Sequence, residues 1–221
     1  MRIQVACLLA FTLFTPAFGQ AGSGYQPQDV PQQVPQEEVA KRVQAILEAS
    51  PEQTLELSGV AKLTYKQLPT DVHAVAVEFA KTLTSKQLPR GIAPEIYVRQ
   101  YEPQIARVLD EAFAKVGTLE ALAPLQIQRK ALPVGEHSVG IALRDERPVA
   151  FVLQSEAFNR GKPLGIKLKL KRAEGEDTGK LILTLVEPEE QKPGAFEFTL
   201  HATLRGAVAE AKKPFEHVLD E

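Results

Sequence analysis

Lys167, Lys169 and Lys171 alternate with Ile166, Leu168 and Leu170, and Arg172 follows directly. On an extended segment that spacing lines cations along one face, which is the chemistry for holding an acidic polymer or a phosphate-bearing surface. Lys167, Lys169, Lys171 and Arg172 are therefore the candidate ligand-binding face, with an anionic polymer or an unidentified protein as partner. Two local arrangements use the same residues. Lysines guard a sheet edge against pairing, or they pair with an acidic neighbour such as Glu197 on the next strand. From Gln126 to Glu221 the chain balances 15 Lys+Arg against 15 Asp+Glu, so no net positive field supports the polymer, and the local arrangements are favoured.

Other reactive side chains are scattered. His73, His137, His201 and His217 include no H-x-H or H-x-x-x-H pair. Zinc ligands commonly recur at such spacings, so these are read as surface or turn histidines and no metal site is expected. No serine stands in a G-x-S-x-G elbow, and the glycines form neither G-x-G-x-x-G nor a phosphate loop. Aromatic residues make up 6% with no tryptophan, which supplies a sugar-stacking platform poorly. No catalytic residue is nominated and no cofactor is expected. A formal charge of −2 gives no drive toward nucleic acid, and none is expected as a partner.

The elements that must position these residues change character along the chain. From Leu132 to Gly206 the pattern has a period of two. Phe196, Phe198, Leu200, Ala202 and Leu204 alternate with Glu197, Thr199, His201, Thr203 and Arg205, and the same reading fits Val139–Leu143 and Leu181–Leu185. Turn-forming stretches at 145–148, 156–163, 174–179 and 187–194 separate six or seven strands. This predicts an antiparallel β-sandwich, jelly-roll or immunoglobulin-like, over 124–221. Those loops are where a site assembled from distant residues would lie.

Before Pro124 the period is nearer 3.6. Val39, Val43, Ile46 and Leu47 share a face after Pro35; Val72–Leu83 follows Asp71, a plausible N-cap; and Ile96–Val116 is closed by Gly117 and interrupted by Pro103. Leu55–Leu68 is ambiguous and leans toward helix. Leu63–Pro69 and Leu83–Pro89 repeat one pattern, read as two helix ends. The chain thus divides into a helical region at 36–123 and a β-sandwich domain at 124–221, an α+β protein.

Ahead of both, Met1-Arg2, the apolar run Val5–Phe14 and small residues up to Gly19 read as a signal peptide over 1–19. The run is too short to cross a membrane, and no transmembrane segment is expected in the mature chain. Cys7, the one cysteine, lies within that leader, so the mature protein is expected to carry no disulfide. Residues 20–35, with Pro27, Pro31 and Pro35 at intervals of four, read as a Gln/Pro-rich linker. The expected address is periplasmic or extracellular.

Leu132-Pro133-Val134-Gly135-Glu136-His137-Ser138-Val139-Gly140-Ile141, with Lys213-Pro214-Phe215 near the end, resembles uncharacterised secreted bacterial β-domains, a domain-of-unknown-function family, over about 125–216. His137 stands where that family has tyrosine, and its tryptophans are missing. The resemblance implies a sandwich and export, with no activity. The functional expectation is an exported non-catalytic binding or assembly module; the alternative is a small periplasmic or extracellular hydrolase-like enzyme.

Overall fold

Proline and aspartate start the helices. In the computed structural model, which describes residues 32–144, 147–155, 164–173, 178–192, 195–204, 207–211 and 213–218, helix α1 (Gln36–Glu48) begins directly after Pro35. It buries Val39, Val43 and Leu47. Helix α2 (Val72–Ala80) is capped by Asp71, whose carboxylate accepts from the His73 N–H at 2.9 Å. A short helix α3 (Pro94–Tyr97) and a 3₁₀ turn (Val98–Tyr101) lead into α4 (Glu102–Phe113). Pro103 lies in the first turn of α4, where its missing N–H costs no helix bond, so it divides the run as expected.

Three strands fall inside the stretch expected to be helical. Strand β1 (Glu52–Leu57) and β2 (Ala61–Lys66) form an antiparallel hairpin, turned at Ser58-Gly59 with Gly59 at φ 72°. The short alternation Leu55, Leu57, Leu63, Tyr65 was a strand signal after all; a left-handed glycine makes the turn. Leu63–Pro69 therefore starts in a strand, and the helix-end reading of that copy is incorrect. Gly117 is not a helix cap either: α4 ends at Phe113, and Gly117 opens strand β3 (Gly117–Ala121).

The remaining strands are β4 (Leu125–Ile127), β5 (Lys130–Leu132), β6 (Gly135–Arg144), β7 (Arg147–Ser155), β8 (Leu164–Ala173), β9 (Ile182–Val186), β10 (Glu197–Leu204), β11 (Ala207–Ala211) and β12 (Phe215–His217). All pairings between them are antiparallel, in the order β1-β2-β3-β6-β7-β8-β11-β10-β12-β4-β5, with β9 also on β10. Strand β3 pairs β6 across position 124, and the chain from Pro31 onward is one compact unit, so Pro124 is no domain boundary.

Chain connectivity forces the sheet to fold back on itself. Only residues 122–124 separate β3 from β4, yet these strands stand third and tenth in the order. Three linking residues reach about 14 Å at most, so the two ends of the path lie close together. Backbone bonds tie a second seam: the Leu181 N–H donates to the Leu68 carbonyl at 2.8 Å and the Thr70 N–H to that of Gly179 at 3.0 Å. The result is an α+β, mostly antiparallel protein with a sandwich-like arrangement.

A single core serves helices and strands. Phe198, Leu200, Ala202 and Leu204 are buried with Leu63, Leu119 and Phe151, and with Phe79, Leu109 and Phe113 from the helices. Phe198 and Phe215 stack with centroids 4.8 Å apart. Gly140 allows the close approach of α4's end, because a Cβ there would run into the Ala114 carbonyl. The expected 20–35 linker is also shortened. Val34 is 3% exposed and donates its N–H to the Tyr101 hydroxyl at 3.3 Å, while the Gln32 N–H donates to the Lys86 carbonyl. Residues 1–31, with the expected signal peptide, lie outside the described residues.

Candidate functional site

Strand β8 sets the register of the lysine row, pairing with β7 through Leu164–Lys169 and with β11 through Leu170–Ala173. Lys167 stands opposite Val152, Lys169 opposite Ala150, Lys171 opposite Glu210 and Arg172 opposite Ala209. Each half of the strand is thus paired on one side among the registers of the described residues, which is compatible with lysines guarding an edge. Glu197 is removed as the acidic neighbour, since β10 does not pair with β8 and the Glu197 carboxylate lies 3.5 Å from the Lys192 ammonium. The acidic position that the register does offer is Glu210. The Lys167 to Arg172 side chains themselves lie outside the described residues.

The histidines play separate parts. His201 is half-buried on the face of β10 away from Leu200, opposite Thr184 and Glu210, as the alternation required. His217 sits on β12 opposite Leu125. His73 lies 3.3 Å from Glu102 at the surface. His137 corrects the surface-or-turn reading: it is 1% exposed on β6, and its Nε2 donates to the Pro133 carbonyl at 2.8 Å. Its imidazole takes a core position opposite Leu119 and ties the strand to the preceding turn. Among the described residues, no three His, Asp or Glu side chains gather as a metal would require. Of the nominated loops, 156–163 lies wholly outside the described residues, and 145–148, 174–179 and 187–194 do so in part.

What sequence reading missed is a polar row running across strands. Register pairs Thr54 with Thr64, Thr64 with Thr118, Thr118 with Ser138, and Ser138 with Gln154, on β1, β2, β3, β6 and β7 in turn. Directly paired residues share a sheet face, and the adjacent positions Leu63, Leu119 and His137 are buried, so this row faces away from the core. The Thr54 and Thr64 hydroxyls are 3.3 Å apart. Strands stand about 4.8 Å apart, so the row extends about 19 Å.

Charged rows flank it. On one side Glu56, Lys62, Glu120 and Glu136 follow one another across the same strands. Lys62 lies 3.7 Å from Glu56, and Glu120 stands directly opposite Glu136. On the other side are Glu52 and Lys66. There an open recess of about 200 Å³ is floored by Thr64 and Thr118 and bordered by Glu52, Lys66 and Lys115. Lys115 follows the end of α4, so the helix terminus forms one wall. No single strand shows this row, because its members are separated by 10 to 54 positions; the signal was the hydroxyl at alternating positions of each strand.

Apolar side chains also reach the surface at one end of the sheet. Leu122 and Val134, 46% and 58% exposed, are the next positions beyond the last β3–β6 pair, Ala121 with Gly135. Val218, also exposed, donates its N–H to the Pro124 carbonyl at 3.0 Å. No helix among the described residues is long and apolar enough to cross a membrane.

Comparison with protein-family models, curated proteins and solved structures finds no match to this chain.

Proposed function

We propose that the protein is an exported, non-catalytic binding or assembly module. The observation that carries this reading is the apolar end formed by Leu122, Val134 and Val218. Single exposed hydrophobics are ordinary, but several placed just beyond the ends of β3, β6 and β12 favour contact with another macromolecule. The N-terminal leader pattern supports export, as does the resemblance to secreted β-domains. The return of β4–β5 to the far end of the strand order supports a Greek-key sandwich of jelly-roll or immunoglobulin kind. Lys167, Lys169, Lys171 and Arg172 remain its anionic-partner face, with Glu210 as the internal competitor for Lys171.

The test is site-specific photo-cross-linking in the producing cell, with the reactive group at Val134 or, as control, at exposed Arg107 on α4. A discrete adduct from position 134 and none from 107 is expected. No adduct from 134, or the same adducts from both positions, would refute the assignment.

A further inference from the structure

We propose that the outward face of β1, β2, β3, β6 and β7 is a binding site for an uncharged oligosaccharide lying across the strands. The juxtaposition of Thr54, Thr64, Thr118, Ser138 and Gln154 with the Glu120–Glu136 pair points to it. Each hydroxyl both donates and accepts, and the Gln154 amide does the same with separate atoms. A ligand matching the row must present donors and acceptors repeatedly along its length, as a chain of sugar hydroxyls does.

Two further features narrow the ligand. Glu120 and Glu136 are directly opposed, an arrangement of like charges that weakens a sheet. Carboxylates are strong acceptors for neutral hydroxyl donors, so a polyol at this face makes use of a pair that the fold itself does not need. A polyanion lying on the row would meet those carboxylates; a polycation would meet Lys62, Lys66 and Lys115. Charges of both signs beside an uncharged row select against either polyion. The recess floored by Thr64 and Thr118 gives the chain a place to seat against the end of α4. Recognition here is by hydrogen bonding along the row, so the lack of tryptophan is no obstacle.

The Glu120–Glu136 pair borders the apolar end, since Leu122 and Val134 are the next positions on that face, but the two readings are tested by different measurements and fail independently. The full chain is titrated calorimetrically with cellohexaose, laminarihexaose and maltohexaose, with oligogalacturonate and a chitosan oligomer as charged comparators. Binding of at least one neutral hexamer and neither charged one is expected. Thr118→Val should weaken it about 3- to 10-fold, the equivalent of one net hydrogen bond, and Thr118→Ser should restore it. Ser138→Ala provides a second route if Thr118→Val does not fold. No binding of any neutral hexamer, preference for a charged oligomer, or full affinity in folded Thr118→Val and Ser138→Ala overturns the proposal. Cross-linking from Val134 reports on the module reading whatever these titrations give.

Discussion

Strand β10 and strand β3 are built from similar alternating patterns but serve the molecule differently. Strand β10 is paired with β9, β11 and β12 and buries Phe198, Leu200, Ala202 and Leu204. Strand β3 is paired with β2 and β6, and it buries only Leu119 and Ala121 while turning Thr118 and Glu120 outward. A strand at a junction of pairings can tolerate little change, because each of its inward residues fills space shared by several elements. A strand whose outward row has hydroxyls and carboxylates can vary those residues without reaching the core. Stability and recognition are thereby placed on different strands and faces.

The sharpest way to break this contrast is at Leu200, which is 1% exposed. Leu200→Ala should cost about 2–5 kcal/mol in denaturant melts, whereas its neighbour His201→Ala should cost no more than about 0.5 kcal/mol. Equal losses would mean that β10 is not the one-sided strand described. Next in size is Gly140→Ala, whose new methyl group meets the Ala114 carbonyl; about 1–3 kcal/mol of destabilisation is expected from that overpacking. An unchanged melt would show that α4's end is free to move off the sheet.

A smaller effect belongs to the N-terminal tie. Tyr101→Phe removes the hydroxyl that accepts the buried Val34 N–H, and should cost about 1 kcal/mol. Proteolysis before α1 should also quicken in this variant, and an unaltered cleavage rate would dissociate Val34 from the helices. The smallest effect concerns pH. Burial, and then the hydrogen bond shared with the Tyr101 hydroxyl, raise the Tyr97 phenol above its ordinary value of 10.0. The unfolded chain therefore ionises first as pH rises, so this contribution is intact below about pH 10 and is lost through the folded-state value. Melts of Tyr97→Phe above pH 10 should fall less steeply than those of the natural chain; identical slopes would dismiss the effect.

Legibility in the sequence followed the length of each pattern. The five-member alternation from Phe196 to Leu204 identified β10, its buried side and the outward position of His201, and Asp71 gave its cap. Strands β1 and β2 have only two inward residues or three, so a glycine turn between them looked like a helix break. Gly117 fitted a helix terminus as well as a strand start, and the difference depends on its pairing with Tyr65 and Val139. His137 looked like a turn residue because its burial comes from strands far away in sequence. The polar row was illegible for the same reason: register between strands, which no local pattern encodes, brings its five members together.

The central claim is that recognition resides on the outward row and stability on the β10 core. Backbone amide NMR during titration of the full chain with neutral hexasaccharide tests it most directly. The largest shifts are expected at Thr54, Thr64, Thr118 and Ser138, with the amides from Phe198 to Leu204 unmoved. Shifts centred on β10 and β12, or none on β2, β3 and β6 at saturating sugar, would contradict it.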